Sequence, residues 1–391
     1  MKLPRVFDAP PPESLPDRPT AHILRTLTNT QNTINKGSIT LALKVASIGR
    51  PNPRVNIFKA AGIEVVEAEP TTTEGVIDVL KDVDGALIGI WPLTDRQVLE
   101  ASPKLKVVSR SGVGVDSIDL EVATQLGICA CNTPGINTSE VADHAMALLL
   151  SITRLVPEQR AAIKDGKWSD DPKLMLEFRG NLRRIAGHTM GIFGLGNIGK
   201  AFASRVRGFG PERIIAYDPY VPQTTADLYG VQLVEFDELL AESDFITIHT
   251  PATEETNHIF DRTAFDKMKP TAILINCARG PIVDPASLFV ALKEGSIEAA
   301  GIDVTEMEPI SPEDPLLTLP NLTITPHTAG SSPTSGAAGS LKQAENVLRI
   351  LQGQAPHGLA NPEVIKRIAV MRATDPGRWA DTPDFSTALA L

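Results

Sequence analysis

The sequence predicts an α/β protein built on parallel sheets. Strand-like and helix-like segments alternate through most of the 391 residues, in two series separated by a polar stretch. This alternation is typical of parallel strands joined by crossover helices. Hydrophobic residues make up 42% of the chain but include only three Trp and three Tyr, which suits an aliphatic α/β core. A chain of this length favours two domains.

The first series follows residues 1–37, which are rich in Pro, Asp, Thr and Asn and are expected to form a weakly ordered lead-in. Regular structure is predicted to begin near Ile39, with an apolar run over residues 39–45. Strands are then predicted at residues 63–66, 86–90 and 105–108, and helices at residues 55–61, 75–83 and 95–101.

A long helix is predicted over residues 139–156. Apolar residues recur there at helical spacing on one face, from Val141 to Ile152. A second apolar face indicates a helix that is buried or lies in an interface. Asn137, followed three residues later by Glu140, resembles a capping box at the start of the helix.

The second series begins after residues 165–179, which are polar and are predicted to form a loop. Six strands are predicted in this series. They are residues 191–193, 214–217, 245–249, 272–275, 299–304 and 322–325.

The helices of the second series have clear end signals. One begins near Ile198 and is followed by glycines, and another begins at Asp284 with the proline after it and stops at Gly295. A further helix is predicted over residues 342–351, and the chain from Arg372 is expected to be poorly ordered.

Composition excludes several classes of protein. The formal net charge of −10 argues against a nucleic-acid partner. Three cysteines give no disulfide framework, and the spacing of Cys129 and Cys131 matches neither a zinc nor a redox motif. We therefore expect a reducing, cytoplasmic setting and no bound metal. No stretch has the length and apolarity of a bilayer span, and no secretory signal is recognisable, so no membrane partner is expected.

A Gly-x-Gly-x-x-Gly motif is formed by Gly194, Gly196 and Gly199, between a predicted strand and a predicted helix. In this context the glycines allow a tight turn, the approach of a pyrophosphate to bare N–H groups, and close helix packing. Asp218 ends the next strand, where an acid accepts hydrogen bonds from an adenosine ribose. Its charge would repel a 2′-phosphate, so the pattern predicts NAD rather than NADP. A tight turn without a ligand is the alternative.

Three later strand ends carry residue types suited to hydride transfer, namely Arg279, Glu308 and His327. An imidazole can donate the proton that an alkoxide needs once hydride has reached a carbonyl carbon. A carboxylate on its second nitrogen fixes the tautomer and stabilises the imidazolium, and a guanidinium can bind a substrate carboxylate in bidentate fashion. The residues alone do not select these three, because the chain has seven His and His249 also ends a strand.

Several motifs in order make the chain resemble the D-isomer-specific 2-hydroxyacid dehydrogenases, most closely their 3-phosphoglycerate dehydrogenase branch. The resemblance extends from about Ile39 to Pro362. Ser117 departs from the Asn that is usual in the family, and Thr305 stands where an aromatic residue is common. The matching segments are residues 110–119, 132–135, 191–199, 244–251, 276–284 and 325–327.

The resemblance implies a domain organisation. A Rossmann NAD-binding domain would be inserted in a discontinuous flavodoxin-like substrate domain, with closure of the cleft excluding water during hydride transfer. Family members are typically dimers that pack through the long helix beginning here at Ser139, so a homodimer is expected. The implied segments are an irregular extension (1–37), the substrate domain (38–133 and 328–362), the NAD domain (134–327) and a C-terminal tail (363–391).

The resemblance also assigns roles to residues. Arg279 would bind the substrate, Glu308 would pair with the histidine, and His327 would be the acid–base. The implied cofactor-binding residues are Gly194, Gly196, Asn197, Ile198, Gly199, Asp218, Thr250, Cys277, Ala278 and Asp303. The implied substrate-binding residues are Arg110, Ser111, Gly112, Val113, Gly114 and Arg154.

Some of these roles have structural alternatives. Residues 111–114 would offer backbone N–H groups to the substrate carboxylate as a nest, but they could form a plain turn. Arg110 and Arg154 could bind a substrate phosphate or form surface salt bridges. Asp303 would face the nicotinamide carboxamide, and Thr250 would line the cleft; strand-end hydrogen bonding is the alternative for both.

The leading interpretation is an NAD-dependent oxidoreductase acting on a D-2-hydroxyacid/2-oxoacid pair, with 3-phosphoglycerate as the leading substrate. Reduction of glyoxylate or hydroxypyruvate is the alternative within this class. A non-catalytic NAD-sensing protein like the C-terminal-binding corepressors is the alternative of another class, because those proteins share the fold and can retain the triad. A formate-dehydrogenase-like enzyme pairs its histidine with Gln, and Glu308 argues against it.

Overall fold

The chain forms two compact units in a computed structural model that describes residues 43–49 and 51–385. We name them by their place in the sequence. Among the described residues, the terminal unit comprises those up to Ser111, Val115–Asn132 and those from Gln343 onward, and the central unit comprises Gly112–Gly114 and Thr133–Lys342.

The terminal unit is built on a parallel sheet. Its first elements are β1 (Lys44–Ile48), α1 (Asn56–Ala60), β2 (Glu64–Ala68), α2 (Thr73–Leu80), β3 (Gly85–Ile88), α3 (Arg96–Glu100), β4 (Val107–Arg110), α4 (Leu120–Gln125) and β5 (Cys129–Cys131). The strands pair in parallel in the order β2-β1-β3-β4-β5. This is the flavodoxin-like order, in which the winding direction reverses between β1 and β3. The predicted lead-in and the predicted start near Ile39 lie outside the described residues.

The central unit begins with four helices and continues as alternating strands and helices. Its elements are α5 (Thr138–Arg154), α6 (Val156–Lys164), α7 (Lys167–Asp170), α8 (Pro172–Asn181), β6 (Thr189–Phe193), α9 (Asn197–Val206), β7 (Arg213–Tyr217), α10 (Gln223–Asp227), β8 (Gln232–Leu233), α11 (Phe236–Glu242), β9 (Phe245–Ile248), α12 (Arg262–Lys267), β10 (Ile273–Asn276), α13 (Pro285–Glu294), β11 (Ala299–Ile302) and β12 (Leu322–Ile324). The sheet order is β12-β11-β10-β9-β6-β7-β8, all parallel. This is the Rossmann order, with its reversal between β6 and β9. The prediction of two doubly wound parallel sheets is confirmed.

The C-terminal part of the chain is folded where the sequence predicted a weakly ordered tail. Helix α14 (Pro333–Leu351) is followed by α15 (Val364–Thr374) and a short 3-10 turn, Gly377–Trp379. Trp379 and Phe385 are fully buried in the core of the terminal unit. The expectation of disorder from Arg372 was wrong, because the burial of these aromatic side chains offsets the cost of ordering the chain.

The prediction of a loop at residues 165–179 was also wrong. Helices α7 and α8 occupy most of it, and the side chain of Asp171 caps α8 by accepting a hydrogen bond from the Leu174 N–H at 3.1 Å. Pro172 stands in the first turn, where its missing N–H costs nothing. Within the described ranges no helix combines the length and apolarity that crossing a membrane requires.

Helix α5 is a core helix of the central unit. Both of its apolar faces are buried, including Ala142, Met146 and Leu149 on the second face. The predicted capping box is absent: the side chain of Asn137 makes no cap hydrogen bond. Glu140 instead accepts a hydrogen bond from the Ser332 hydroxyl at 2.7 Å, because the chain that follows β12 folds back onto the start of α5.

The chain returns to the terminal unit at Gln343, inside α14, whereas the resemblance implied a boundary after His327. Residues 328–335 stay with the central unit because their polar groups bind there. The backbone N–H groups of Thr328 and Ala329 donate to the carboxylate of Asp303 at 3.0 and 2.8 Å. The Ser332 hydroxyl donates to Glu140 of α5.

Candidate active site

The glycine loop connects β6 to α9, at the point where the winding of the central sheet reverses. Gly194 has a φ of 94°, a left-handed conformation that favours glycine. A Cβ at Gly194 would lie 2.9 Å from the carbonyl carbon of His249, and one at Gly199 would overlap the Gly194 carbonyl oxygen. A Cβ at Gly196 would meet nothing within 4 Å. The turn is therefore tight on the sheet side and open at Gly196, where a pyrophosphate is expected.

Asp218 follows β7 and is hydrogen-bonded to the same loop. Its Oδ2 accepts a hydrogen bond from the Leu195 N–H at 2.8 Å, and its Oδ1 accepts one from the Tyr220 N–H at 2.9 Å. Asn197 and Ile198, the other predicted neighbours of the pyrophosphate, form the first turn of α9. Helix N–H groups, an open glycine and an adjacent carboxylate are the groups that a dinucleotide requires, so the residues present fit NAD.

The predicted cofactor residues at the ends of β9 and β10 make different contacts within the protein. The Thr250 backbone nitrogen borders the glycine loop, 3.0 Å from where a Cβ at Gly194 would lie. Cys277 is 7% exposed, and burial raises the pKa of its thiol, so it stays protonated. The Ala278 N–H donates to Asn276 Oδ1 at 3.0 Å, so this amide is already bonded within the protein.

Arg279 follows β10 in a turn held by Asn276, which is 1% exposed and donates from Nδ2 to the Arg279 carbonyl at 2.9 Å. The next residue, Gly280, packs so closely that a Cβ there would overlap the carbonyl group of Thr305. This approach brings the Arg279 turn against the loop that carries Glu308. Sequence reasoning missed Asn276; its signal was an amide side chain at the end of a buried strand, directly before a turn.

His327 and Glu308 form the predicted pair. The imidazole Nδ1 lies 2.6 Å from Glu308 Oε2, and Glu308 Oε1 accepts a hydrogen bond from the Thr305 N–H at 3.2 Å. The side chains of the pair are 39% and 37% exposed, so a ligand can reach them. Because the carboxylate only accepts, Nδ1 is the donor in this bond, and Nε2 is the nitrogen left to exchange a proton with a ligand.

Asp303 is buried at the end of β11 and binds the segment around His327. Its Oδ1 accepts hydrogen bonds from the Thr325 hydroxyl at 2.6 Å and the Thr328 N–H at 3.0 Å, and its Oδ2 accepts one from the Ala329 N–H at 2.8 Å. These are strand-end hydrogen bonds, the alternative considered from the sequence. A contact between Asp303 and the nicotinamide carboxamide stays a prediction.

The predicted nest at residues 111–114 has fewer amides to offer than expected. The Ser111 N–H donates to the Ile88 carbonyl at 3.1 Å, and the Gly112 N–H donates to the Thr133 hydroxyl at 2.9 Å. Two of the amides predicted to meet a substrate carboxylate are therefore bonded within the protein. No local sequence signal indicated the Thr133 contact, because it joins positions 21 residues apart.

The two predicted phosphate ligands, Arg110 and Arg154, belong to different units. Arg110 is only 6% exposed. Arg154 ends α5 and donates to the Arg183 carbonyl at 3.2 Å; Arg183 pairs with Glu298, which precedes β11 at the amino edge of the sheet. His144, ten residues earlier on α5, contacts the carboxyl edge. Ten helical residues span roughly 15 Å, so Arg154 lies away from the other site residues of the central unit.

A Rossmann sheet with an open glycine turn, a carboxylate after the next strand and a histidine–glutamate pair beside an arginine turn defines a dinucleotide-dependent oxidoreductase. Comparison with known proteins supports this class. Residues 146–329 match the family model for the NAD-binding domain of the D-isomer-specific 2-hydroxyacid dehydrogenases. A glyoxylate reductase of Korarchaeum cryptofilum is 41% identical over 299 residues, which is 76% of this chain and 88% of that protein. The chain belongs to the D-isomer-specific 2-hydroxyacid dehydrogenase family, and its cofactor is NAD.

Other relatives carry different names. A D-3-phosphoglycerate dehydrogenase of Methanocaldococcus jannaschii is 40% identical over 309 residues, 78% of this chain, but the chain spans only 57% of that protein's length. Among solved structures, an NADPH-dependent glyoxylate/hydroxypyruvate reductase from Sinorhizobium meliloti, in complex with NADP and malonate, superposes with a TM-score of 0.71 at 30% identity. That match covers 82% of this chain and 97% of the other.

Proposed function

We propose that the protein reduces an unphosphorylated 2-oxoacid to the D-2-hydroxyacid, with His327 as the acid–base and Arg279 as the group that binds the substrate carboxylate. The observation that carries the proposal is the 2.6 Å hydrogen bond between His327 Nδ1 and Glu308 Oε2, in the unit that also holds the glycine loop. Bound NADH supplies the hydride in this chemistry.

The chain's own residues handle the proton and the charge. Glu308 holds Nδ1 and stabilises the imidazolium, so Nε2 can deliver its proton to the substrate oxygen as the carbonyl is reduced. The imidazole is left neutral and takes up a proton again from solvent. Arg279 can bind the substrate carboxylate through two parallel hydrogen bonds, which fixes the orientation of the carbonyl.

The contacts of the two arginines favour a substrate without phosphate. The expectation of 3-phosphoglycerate came from the resemblance to that branch, which also implied Arg110 and Arg154 as phosphate ligands. Arg110 is buried, and Arg154 lies at the amino edge of the central sheet. The similarity to a phosphoglycerate dehydrogenase keeps that substrate as the second candidate.

A loop of the terminal unit supports the same conclusion. Ligands of open parallel sheets bind where the winding reverses, which in this unit is between the carboxyl ends of β1 and β3. The chain that follows β3 there carries Ile90, Trp91 and Leu93, with exposed fractions of 63%, 61% and 47%. An apolar surface at this position fits a 2-oxoacid with a small or apolar side chain better than a phosphate ester.

We also propose a homodimer. Helix α5, which the resemblance implied as the interface, is already buried in its own unit. The helices that follow it, α6 to α8, carry the exposed apolar side chains of Val156, Ile163, Trp168 and Leu176. Such a concentration of exposed apolar residues is typical of a protein interface, and we assign the dimer contact to α6–α8.

We propose a cytoplasmic location because the cysteine thiols are free and buried. Cys129, Cys131 and Cys277 are all free and buried. Burial raises the pKa of each thiol, which keeps the groups protonated and unreactive. Reduced cysteines of this kind fit a reducing compartment.

Steady-state kinetics of the full chain test the function. The loss of NADH absorbance is followed with glyoxylate, hydroxypyruvate, phenylpyruvate and 3-phosphohydroxypyruvate. We expect a higher kcat/KM for an unphosphorylated acid than for the phosphorylated one. His327→Ala should lower kcat by about 10²–10⁴-fold, the usual contribution of general acid catalysis, while NADH still binds.

Two results would redirect the assignment. A clear preference for 3-phosphohydroxypyruvate would restore the phosphoglycerate interpretation. Absence of turnover with every 2-oxoacid, together with tight NADH binding, would favour the NAD-sensing alternative.

A further inference from the structure

The backbone of His327 adopts an unusual conformation. Its φ is 52°, a left-handed value that is costly for a residue with a side chain and persists only when the surroundings hold it. Three consecutive backbone N–H groups bind one residue, Asp303. The His327 N–H donates to the Asp303 carbonyl at 2.8 Å, and the amides of Thr328 and Ala329 donate to its carboxylate at 3.0 and 2.8 Å.

Asp303 is held in turn by two side chains. The Thr325 hydroxyl donates to Asp303 Oδ1 at 2.6 Å. On α5, His144 Nε2 lies 2.9 Å from Thr325 Oγ1 and 3.5 Å from Asp303 Oδ1. Because the single hydroxyl proton of Thr325 is directed at the carboxylate, His144 Nε2 must carry a proton and donate it to Thr325. A directed chain of hydrogen bonds thus runs from α5 to the backbone around His327.

We propose that His144 and Thr325 are positioning residues for the reaction: through Asp303 they hold the backbone of His327 in the conformation that places Nδ1 on Glu308. This inference rests on the proposed function of His327. Asp303 is 1% exposed, and a buried carboxylate that loses a partner must find another or move. A movement of Asp303 shifts three amides at once and turns the imidazole away from Glu308.

Paired substitutions separate positioning from simple stability. His144→Phe keeps a ring but removes the donor, and His144→Gln restores an N–H near the position of Nε2. Thr325→Val and Thr325→Ser make the same comparison at the hydroxyl. The Phe and Val variants should lose about 10- to 100-fold in kcat, the scale of a misplaced catalytic group, with a smaller change in KM for NADH because the glycine loop and Asp218 are untouched. The Gln and Ser variants should recover most of the rate and the wild-type pH profile of kcat/KM.

A matched control lies in the terminal unit, where His357 Nε2 pairs with Glu345 at 2.9 Å. His357→Phe should leave kcat at the wild-type value. Melting temperatures of all variants show that each is folded.

A second measurement does not depend on catalytic activity. Hydrogen exchange of the backbone amides at residues 327–329 should be faster in His144→Phe than in the wild type or His357→Phe. An active wild type whose His144→Phe variant keeps its full kcat overturns the inference, and so does unchanged amide protection. An inactive wild type with faster exchange in His144→Phe overturns the proposed function and leaves the hydrogen-bond chain intact.

Discussion

Single residues at strand ends are distinguished by their surroundings. His249 and His327 both follow strands of the central sheet, and the sequence offered no local reason to prefer one. Burial lowers the pKa of His249 to about 3, so it stays neutral near neutral pH and cannot act as a proton donor. His327 is partly exposed and bonded to Glu308. The environment, and not the residue type, therefore favours His327 over His249 for the proposed role of acid–base.

The carboxylate of Asp218 should set the choice of cofactor. Replacing it by the neutral amide in Asp218→Asn removes a charge that would repel a 2′-phosphate, and like charges placed together cost several kcal/mol. We expect the ratio of Kd values for NADPH and NADH to fall by about tenfold or more, measured by fluorescence titration of each cofactor.

A neighbouring substitution serves as the control for cofactor choice. The Tyr220 hydroxyl bonds to Glu255 at 3.2 Å, while its backbone N–H binds Asp218. Tyr220→Phe keeps the backbone contact, so the ratio should not change. A wild-type protein that already prefers NADPH would contradict the role assigned to Asp218.

Helices with explicit end signals and a periodic apolar face are predictable from the sequence, and exposed helices without such a face are not. Asp284 followed by proline predicted the start of α13, and the structure has Asp284 capping that helix. The same pair occurs at Asp171 and Pro172, where it begins α8, but the polar composition around it suggested a loop. The exposed helices α7 and α8 bury no complete side chain, so hydrophobic periodicity could not reveal them.

The glycine loop allows a test at the level of one element. A methyl group at Gly196 enters open space but lies on the side where the pyrophosphate is expected. Gly196→Ala should therefore leave the melting temperature nearly unchanged and weaken NADH binding by about tenfold or more, which corresponds to about 1.4 kcal/mol.

A second glycine provides the matched control for this test. A Cβ at Gly208, beyond the end of α9, also meets nothing within 4 Å. Gly208→Ala should change neither property. Equal NADH affinity in the wild type and Gly196→Ala would exclude the loop as the pyrophosphate site.

Each unit of the molecule draws its core from distant parts of the sequence. The core of the terminal unit combines Val45 and Leu87 from its first strands with Trp379 and Phe385 from the other end of the chain. The Trp379 indole N–H donates to the Gly127 carbonyl at 2.9 Å, over 252 positions. Neither partner is recognisable from its neighbours in sequence, which is why the tail was expected to be weakly ordered.

Assembly of the whole molecule is open to a direct measurement. If helices α6–α8 form the dimer contact, sedimentation equilibrium should give the mass of a dimer at micromolar concentration. Placing charges in the contact with Ile163→Glu and Trp168→Glu should produce monomers, because an unpaired buried charge is costly.

Val370→Glu is the matched control for the dimer. It alters an apolar residue of the terminal unit that is 53% exposed and should leave the dimer intact. A wild-type monomer at these concentrations would remove the dimer proposal.

The choice of Arg279, Glu308 and His327 came from the resemblance to a family, while the sequence by itself determined the parallel α/β architecture and the glycine turn with its acid. These follow from hydrophobic periodicity, turn residues and short motifs, which act over a few neighbouring positions. Only the tertiary structure decided that Asp303 holds the backbone of His327, that Arg154 lies at the opposite edge of the sheet, and that Trp379 completes a core. Each of these depends on groups brought together from distant positions, and local sequence signals do not encode such contacts.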